Sequence, residues 1–143
     1  MLTGVETSMI GHESPKIGLL ADVPLFAGLP KRELKAIAGV AEVVDVPAGR
    51  DLTVEGATGH EFFVLLEGAA IVERAGDFVN VLGPGSFFGE LALLADRPRS
   101  ATVTTIEPSR LLVLGEGHFR QAVRGSTQLS ARLLPEVARR LAA

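Results

Sequence analysis

The chain has no cysteine, no tryptophan and no tyrosine. Without thiols there are no disulfides, no thiolate metal ligands and no thiol catalysis, and the expected setting is reducing and cytoplasmic. Phenylalanine, seven times, is the only aromatic, so a pocket for a planar ligand has to be lined mainly by aliphatic side chains. No apolar run approaches the roughly 18 residues of a membrane span. The start of the chain lacks the basic cluster and apolar core of a signal peptide. Positive charge is scarce as well. Fourteen Lys and Arg against 17 Asp and Glu leave a formal charge of −3, which argues against the basic stripe of a general nucleic-acid binder.

What remains is a 143-residue chain long enough to bury one domain core without covalent staples. Residues 1–16 are rich in Thr, Ser, Gly and Glu and are expected to be mobile. A short helical piece is expected over Ile17–Leu25. After the Gly28-Leu29-Pro30 turn, Leu34, Ile37, Ala38 and Val40 form a helical stripe within Lys31–Val40, with Pro30 where a helix start tolerates it. The period then shortens. Val43–Val46, Asp51–Val54, Glu61–Leu66, Ala69–Arg74, Asp77–Leu82, Ala101–Ile106 and Leu111–Leu114 read as short strands. Glycine turns separate them, and the two-residue links at Glu67-Gly68 and Ala75-Gly76 predict tight hairpins. Such a set forms a β-barrel, roll or sandwich. The end of the chain returns to helix. His118–Val123 closes at Gly125, and Ser126 caps a second helix with Leu129, Leu133, Val137 and Leu141 in a stripe beside Leu134 and Ala138. Pro135 predicts a kink or restart near Leu134, and Arg132, Arg139 and Arg140 are expected on the solvent face.

The densest chemistry lies in Phe87-Phe88-Gly89-Glu90-Leu91-Ala92-Leu93-Leu94-Ala95-Asp96-Arg97-Pro98-Arg99-Ser100-Ala101-Thr102-Val103. A glycine turn and a carboxylate precede one helical turn, and an arginine follows. The first N–H groups of that turn have no internal partners and can face an anion. Ala92 is small enough for its backbone to come close. Arg99 offers a planar fork of donors that matches phosphate oxygens, where a lysine offers a point charge. Glu90, an acceptor only when ionised, suits a hydroxyl rather than a phosphate. Asp96 and Arg97 are assigned to the turn and to solvent.

This stretch resembles the phosphate-binding cassette of the cyclic nucleotide-binding domain family, which carries Phe-Gly-Glu-Leu-Ala-Leu, four variable residues, then Pro-Arg-Ala/Ser/Thr-Ala-Thr. Leu25-Phe26-Ala27-Gly28-Leu29 is similar to a lead-in motif common in bacterial members, and the resemblance spans about Leu20 to Leu141. It implies a mainly β fold with flanking helices: a double-stranded β-helix or jelly-roll-like β-roll at about 41–114, an N-terminal helix, and C-terminal helices at about 116–143, the domain running from 17 to 143. It also implies the ligand set. Arg99 takes the phosphate, with the backbone N–H groups of Ala92 and Ser100. Glu90, beside Gly89, takes the ribose 2′-hydroxyl. Leu91, Val72 and Val103 line the base. Serine after the arginine is typical of members that prefer cAMP and threonine of those that prefer cGMP, so the expected ligand is cAMP, with cGMP as the alternative. Many relatives close the base with a lid on the final helix; here the lid is expected to be short, missing or supplied by another chain.

The remaining residues carry less. His12, His60 and His118 share no metal-ligand spacing, so no metal and no other cofactor is expected. No nucleophile elbow or triad order is visible, so no catalytic residue is assigned and an enzyme such as a phosphodiesterase is the weakest reading. A helix-turn-helix after Leu141, and a kinase, cyclase or channel segment, are not expected. The expected partner is therefore a second copy or an effector protein, not nucleic acid or membrane. A ligand-free scaffold of the same fold is the alternative to a sensor.

Overall fold

The computed structural model describes residues 14–142. His12 and most of the start expected to be mobile lie outside them. The first described helix, α1 (Ser14–Ala21), begins within that start and ahead of the expected Ile17. A run of turns leads to α2 (Lys31–Val40). Eight strands follow: β1 (Glu42–Val46), β2 (Asp51–Thr53), β3 (Glu61–Glu67), β4 (Ala70–Arg74), β5 (Asp77–Leu82), β6 (Phe87–Phe88), β7 (Thr102–Thr105) and β8 (Ser109–Gly115). The one-turn helix α3 (Glu90–Leu94) lies between β6 and β7. Two helices, α4 (Glu116–Gly125) and α5 (Thr127–Ala142), end the described chain. None of the described helices is long and apolar enough to cross a membrane.

The strands form two antiparallel four-stranded sheets, ordered β1-β8-β3-β6 and β2-β7-β4-β5. This is the β-roll with flanking helices that the sequence leads one to expect. The apolar run Phe62-Phe63-Val64-Leu65 on β3 explains how the layers stack. Successive side chains of a strand point to opposite faces, so Phe62 and Val64 pack against the helices while Phe63 and Leu65 fill the space between the sheets. Phe62 stacks on Phe119 of α4 with ring centroids 4.4 Å apart, and Phe63 stacks on Phe88 of β6 at 4.9 Å. One strand thus fastens the helical layer to the roll.

Several local expectations change. Ala75-Gly76 does form a tight hairpin between β4 and β5, with positive φ at both turn residues (54° and 83°), as a type I′ turn requires. Gly68 makes no hairpin, because β3 and β4 belong to different sheets and the chain crosses between them there. On α2 the buried face is Leu34, Ile37 and Ala38, while Val40 turns to solvent. Ser126 caps α5 as expected, its Oγ accepting from the Leu129 N–H at 3.1 Å. The restart at Pro135 does not occur, and α5 runs through it as one helix. Proline removes one backbone donor, but Leu129 and Leu133 on one side of it are buried and Arg140 on the other is docked, so both halves are held.

Candidate functional site

All eight residues singled out in the sequence line one cavity: Gly89, Glu90, Leu91, Ala92, Arg99, Ser100, Val72 and Val103. β4 and β7 supply the apolar wall, with Val72 paired directly to Val103. Gly89 precedes α3 with φ 97°, a conformation glycine adopts at little cost. It also leaves room, because a Cβ there would stand 2.8 Å from the Glu61 carbonyl oxygen and 2.9 Å from Arg99 Nη1.

Arg99 is buried, with 6% of its surface exposed. Its backbone is fixed first: its N–H donates to the Ala57 carbonyl at 2.8 Å, and its own carbonyl accepts from the Gly56 N–H at 2.8 Å. Its side chain is then laid flat. Nη2 donates to the Glu61 carbonyl at 2.9 Å and Nη1 to the Gly89 carbonyl at 3.3 Å, and the Glu61 carboxylate lies 3.8 Å away. Gly59 forms the floor. A Cβ on it would meet Arg99 Nε at 1.9 Å and Cζ at 2.1 Å, so any side chain there would displace this guanidinium. Burial holds the Arg99 pKa below its ordinary value, and the charges of Glu61 and Glu90 work against that shift. These carbonyls use only part of the five-donor fork, and Arg99 lines the cavity.

Glu90 is fully buried yet ionically paired. Arg140, near the end of α5, brings Nη1 to 2.8 Å from Oε1 and 2.6 Å from Oε2. Nη2 of Arg140 donates to the Phe87 carbonyl at 3.2 Å, and its guanidinium lies 5.4 Å from the Phe87 ring centroid. Nε of Arg140 lies 3.2 Å from Glu136, one turn earlier. Arg140 is therefore no part of a solvent face. Neither is Arg132, which donates to the Leu25 carbonyl at 2.8 Å and ties α5 to the segment after α1. Arg139 is exposed as expected and pairs with Glu136.

The far end of the cassette helix is also held. Arg120 on α4 donates to the Leu93 carbonyl and to Glu116, each at 2.7 Å. Glu116 lies 3.1 Å from His60. The hydrogen bond with His60, followed by the charge of Arg120, holds the Glu116 carboxyl below its usual range. Asp96 takes a positive φ of 52° in the turn and Arg97 is exposed, as assigned.

Sequence reasoning missed Gly59, Glu61, Arg74, Asn80 and Arg140. Arg74, Asn80 and Arg140 share the cavity, and Gly59 and Glu61 hold its arginine. Helical period would have found Arg140. At about 100° per residue, Leu133, Glu136 and Arg140 fall within about 40° of Leu129, whereas Leu141, placed in the stripe by its spacing of four, is about 120° away. The cavity itself is small, about 90 Å³.

A family model of the cyclic nucleotide-binding domain matches residues 43–126, which include every cassette residue and stop before α5. The chain is 39% identical over 104 residues to the cAMP-dependent protein kinase regulatory subunit of Neurospora crassa, a stretch that makes up 71% of this chain and 27% of that protein. It is also similar to the regulatory domain of Toxoplasma gondii PKA co-crystallised with cAMP (28% identity, TM-score 0.69), over 78% of this chain and 46% of that one. Thermus thermophilus catabolite activator protein is another match (28% identity, TM-score 0.73), over 82% of this chain and 58% of that one. The chain thus spans about a quarter of the length of the Neurospora crassa subunit.

Proposed function

The chain belongs to the cyclic nucleotide-binding domain family, and we propose that it is a sensor whose ligand is a cyclic mononucleotide, cAMP before cGMP, and whose output is a ligand-biased movement of α5. One observation carries this reading. A buried guanidinium, laid flat over Gly59 and bonded by two carbonyls, lines the same cavity as a buried carboxylate and the wall formed by Val72 and Val103. Arg99 takes the phosphate together with the N–H groups of Ala92 and Ser100. Glu90, next to Gly89, takes the ribose 2′-hydroxyl, and Leu91, Val72 and Val103 line the base. The sensor unit runs from 17 to 143, extended by the helix that begins at Ser14.

The movement follows from competition for one carboxylate. Pockets for drug-sized ligands measure roughly 300–1,000 Å³, whereas this cavity holds about 90 Å³ with Arg140 in its wall. A nucleotide makes room by displacing Arg140, and its 2′-hydroxyl replaces the guanidinium at Glu90. The ligand then favours an arrangement of α5 that differs from the docked one, which is the condition for a binding event to become a signal. An effector protein or a second copy reads the released helix.

Titration calorimetry with cAMP, cGMP and 2′-deoxy-cAMP tests the ligand, since the chain has no tryptophan to report by fluorescence. The expected order is cAMP tightest, with the deoxy ligand weaker by about 1–3 kcal/mol because the buried Glu90 loses a donor. Equal affinity for ribose and deoxyribose ligands overturns the role of Glu90. No heat with either cyclic nucleotide at millimolar concentration assigns the Arg140–Glu90 contact to a ligand-free scaffold instead.

A further inference from the structure

The β4–β5 hairpin brings another guanidinium to the same cavity. Arg74, at the end of β4, is half-buried and lines the cavity with Arg99 and Ser100. Its Nε donates to the Ser100 carbonyl at 3.2 Å, so the side chain lies beside the residue that follows Arg99. Among the described residues this is its one hydrogen bond, and it forms no ion pair, although Glu73 and Asp77 flank it in the hairpin. Its terminal nitrogens keep their donors, and such a fork matches an anion with two parallel contacts. The turn that carries it is fixed. The Ala75 N–H donates to Glu55 Oε1 at 2.8 Å, and the Glu55 N–H donates to Thr102 Oγ1 at 2.9 Å.

We propose that Arg74 is a second anion-recognition residue, whose terminal nitrogens contact the ligand's charged phosphate from the hairpin while Arg99 holds it from the cassette. The inference rests on the sensor reading and deepens it. In the closed state Arg140 offsets Glu90 and Glu61 lies 3.8 Å from Arg99, so Arg74 is the cavity's positive charge with no ion pair among the described residues, which suits an anion better than a neutral nucleoside.

The test is calorimetric titration of the full chain with cAMP at low and high salt, for wild type, Arg74→Gln, Arg74→Lys and Arg99→Leu. Arg74→Gln is expected to weaken binding about tenfold, the effect of one charge-assisted hydrogen bond, and to flatten the salt dependence. Arg74→Lys recovers part of both, and the thermal midpoint of the ligand-free protein stays unchanged. If wild type and Arg74→Gln bind cAMP equally while Arg99→Leu loses it, this inference fails and the sensor reading stands. A loss of affinity in Arg74→Gln with an unaltered salt dependence also overturns it, because the contact is then with an uncharged part of the ligand. A wild type that binds no cyclic nucleotide overturns the sensor reading and this inference with it.

Discussion

Gly59 has no side chain, and Arg99 fills the space one would need. Placing a methyl group there forces the guanidinium off its two carbonyl acceptors or pushes the loop outward, and overpacking of this kind costs about 1–3 kcal/mol. Gly59→Ala is therefore expected to weaken cAMP binding about tenfold and to add nothing in the Arg99→Leu background, because its effect passes through that side chain. Additive losses in the double variant, measured by calorimetry, would show that Gly59 acts on the fold instead. The contrast between Gly59 and the cassette also shows what a sequence discloses at this scale. Gly89, Glu90, Arg99 and Ser100 were legible because they stand at fixed spacings within one segment. Gly59 and Glu61 were not, because what makes them matter is a tertiary contact with a residue some forty positions later.

At the scale of elements, α5 is held at two points on one face. Arg132 binds the Leu25 carbonyl and Arg140 binds Glu90, with Pro135 between them. A helix lacking one internal bond at its middle is suited to keep the first anchor while the second lets go. The absence of cysteine makes this measurable, since cysteines introduced at exposed Ala138 and Glu107 are the sole labelling sites. Spin-label distance measurements should show the pair separating when cAMP is added, and Arg140→Ala should produce the same shift without ligand. A distance distribution that cAMP leaves unchanged would contradict release of the helix. The strands and helices were largely readable from the sequence: α2 matches its expected bounds, and the seven apolar runs became strands. The anchors were not. A stripe counted in steps of four drifts around a helix of 3.6 residues per turn, so it brought in Leu141, which is exposed, and passed over Arg140, which faces inward.

For the whole molecule, what was not legible is how the layers meet. Both faces of β3 are buried, one against the helices and one between the sheets, so the helical layer and the cassette share a single strand as support. β3 pairs with β6, the first strand of the cassette; α4 grips the far end of α3 through Arg120, and α5 grips its near end through Arg140. Change at the cavity therefore has a short mechanical route to the C-terminal helices. This account stands on Arg99 as the phosphate's partner, and calorimetric titration of cAMP into wild type and Arg99→Leu under identical conditions tests that most directly. The wild type should give saturable heat. The variant, folded to the same circular dichroism spectrum, should lose at least about a hundredfold in affinity, as expected for two charge-assisted hydrogen bonds. Equal binding by the two proteins would contradict the account.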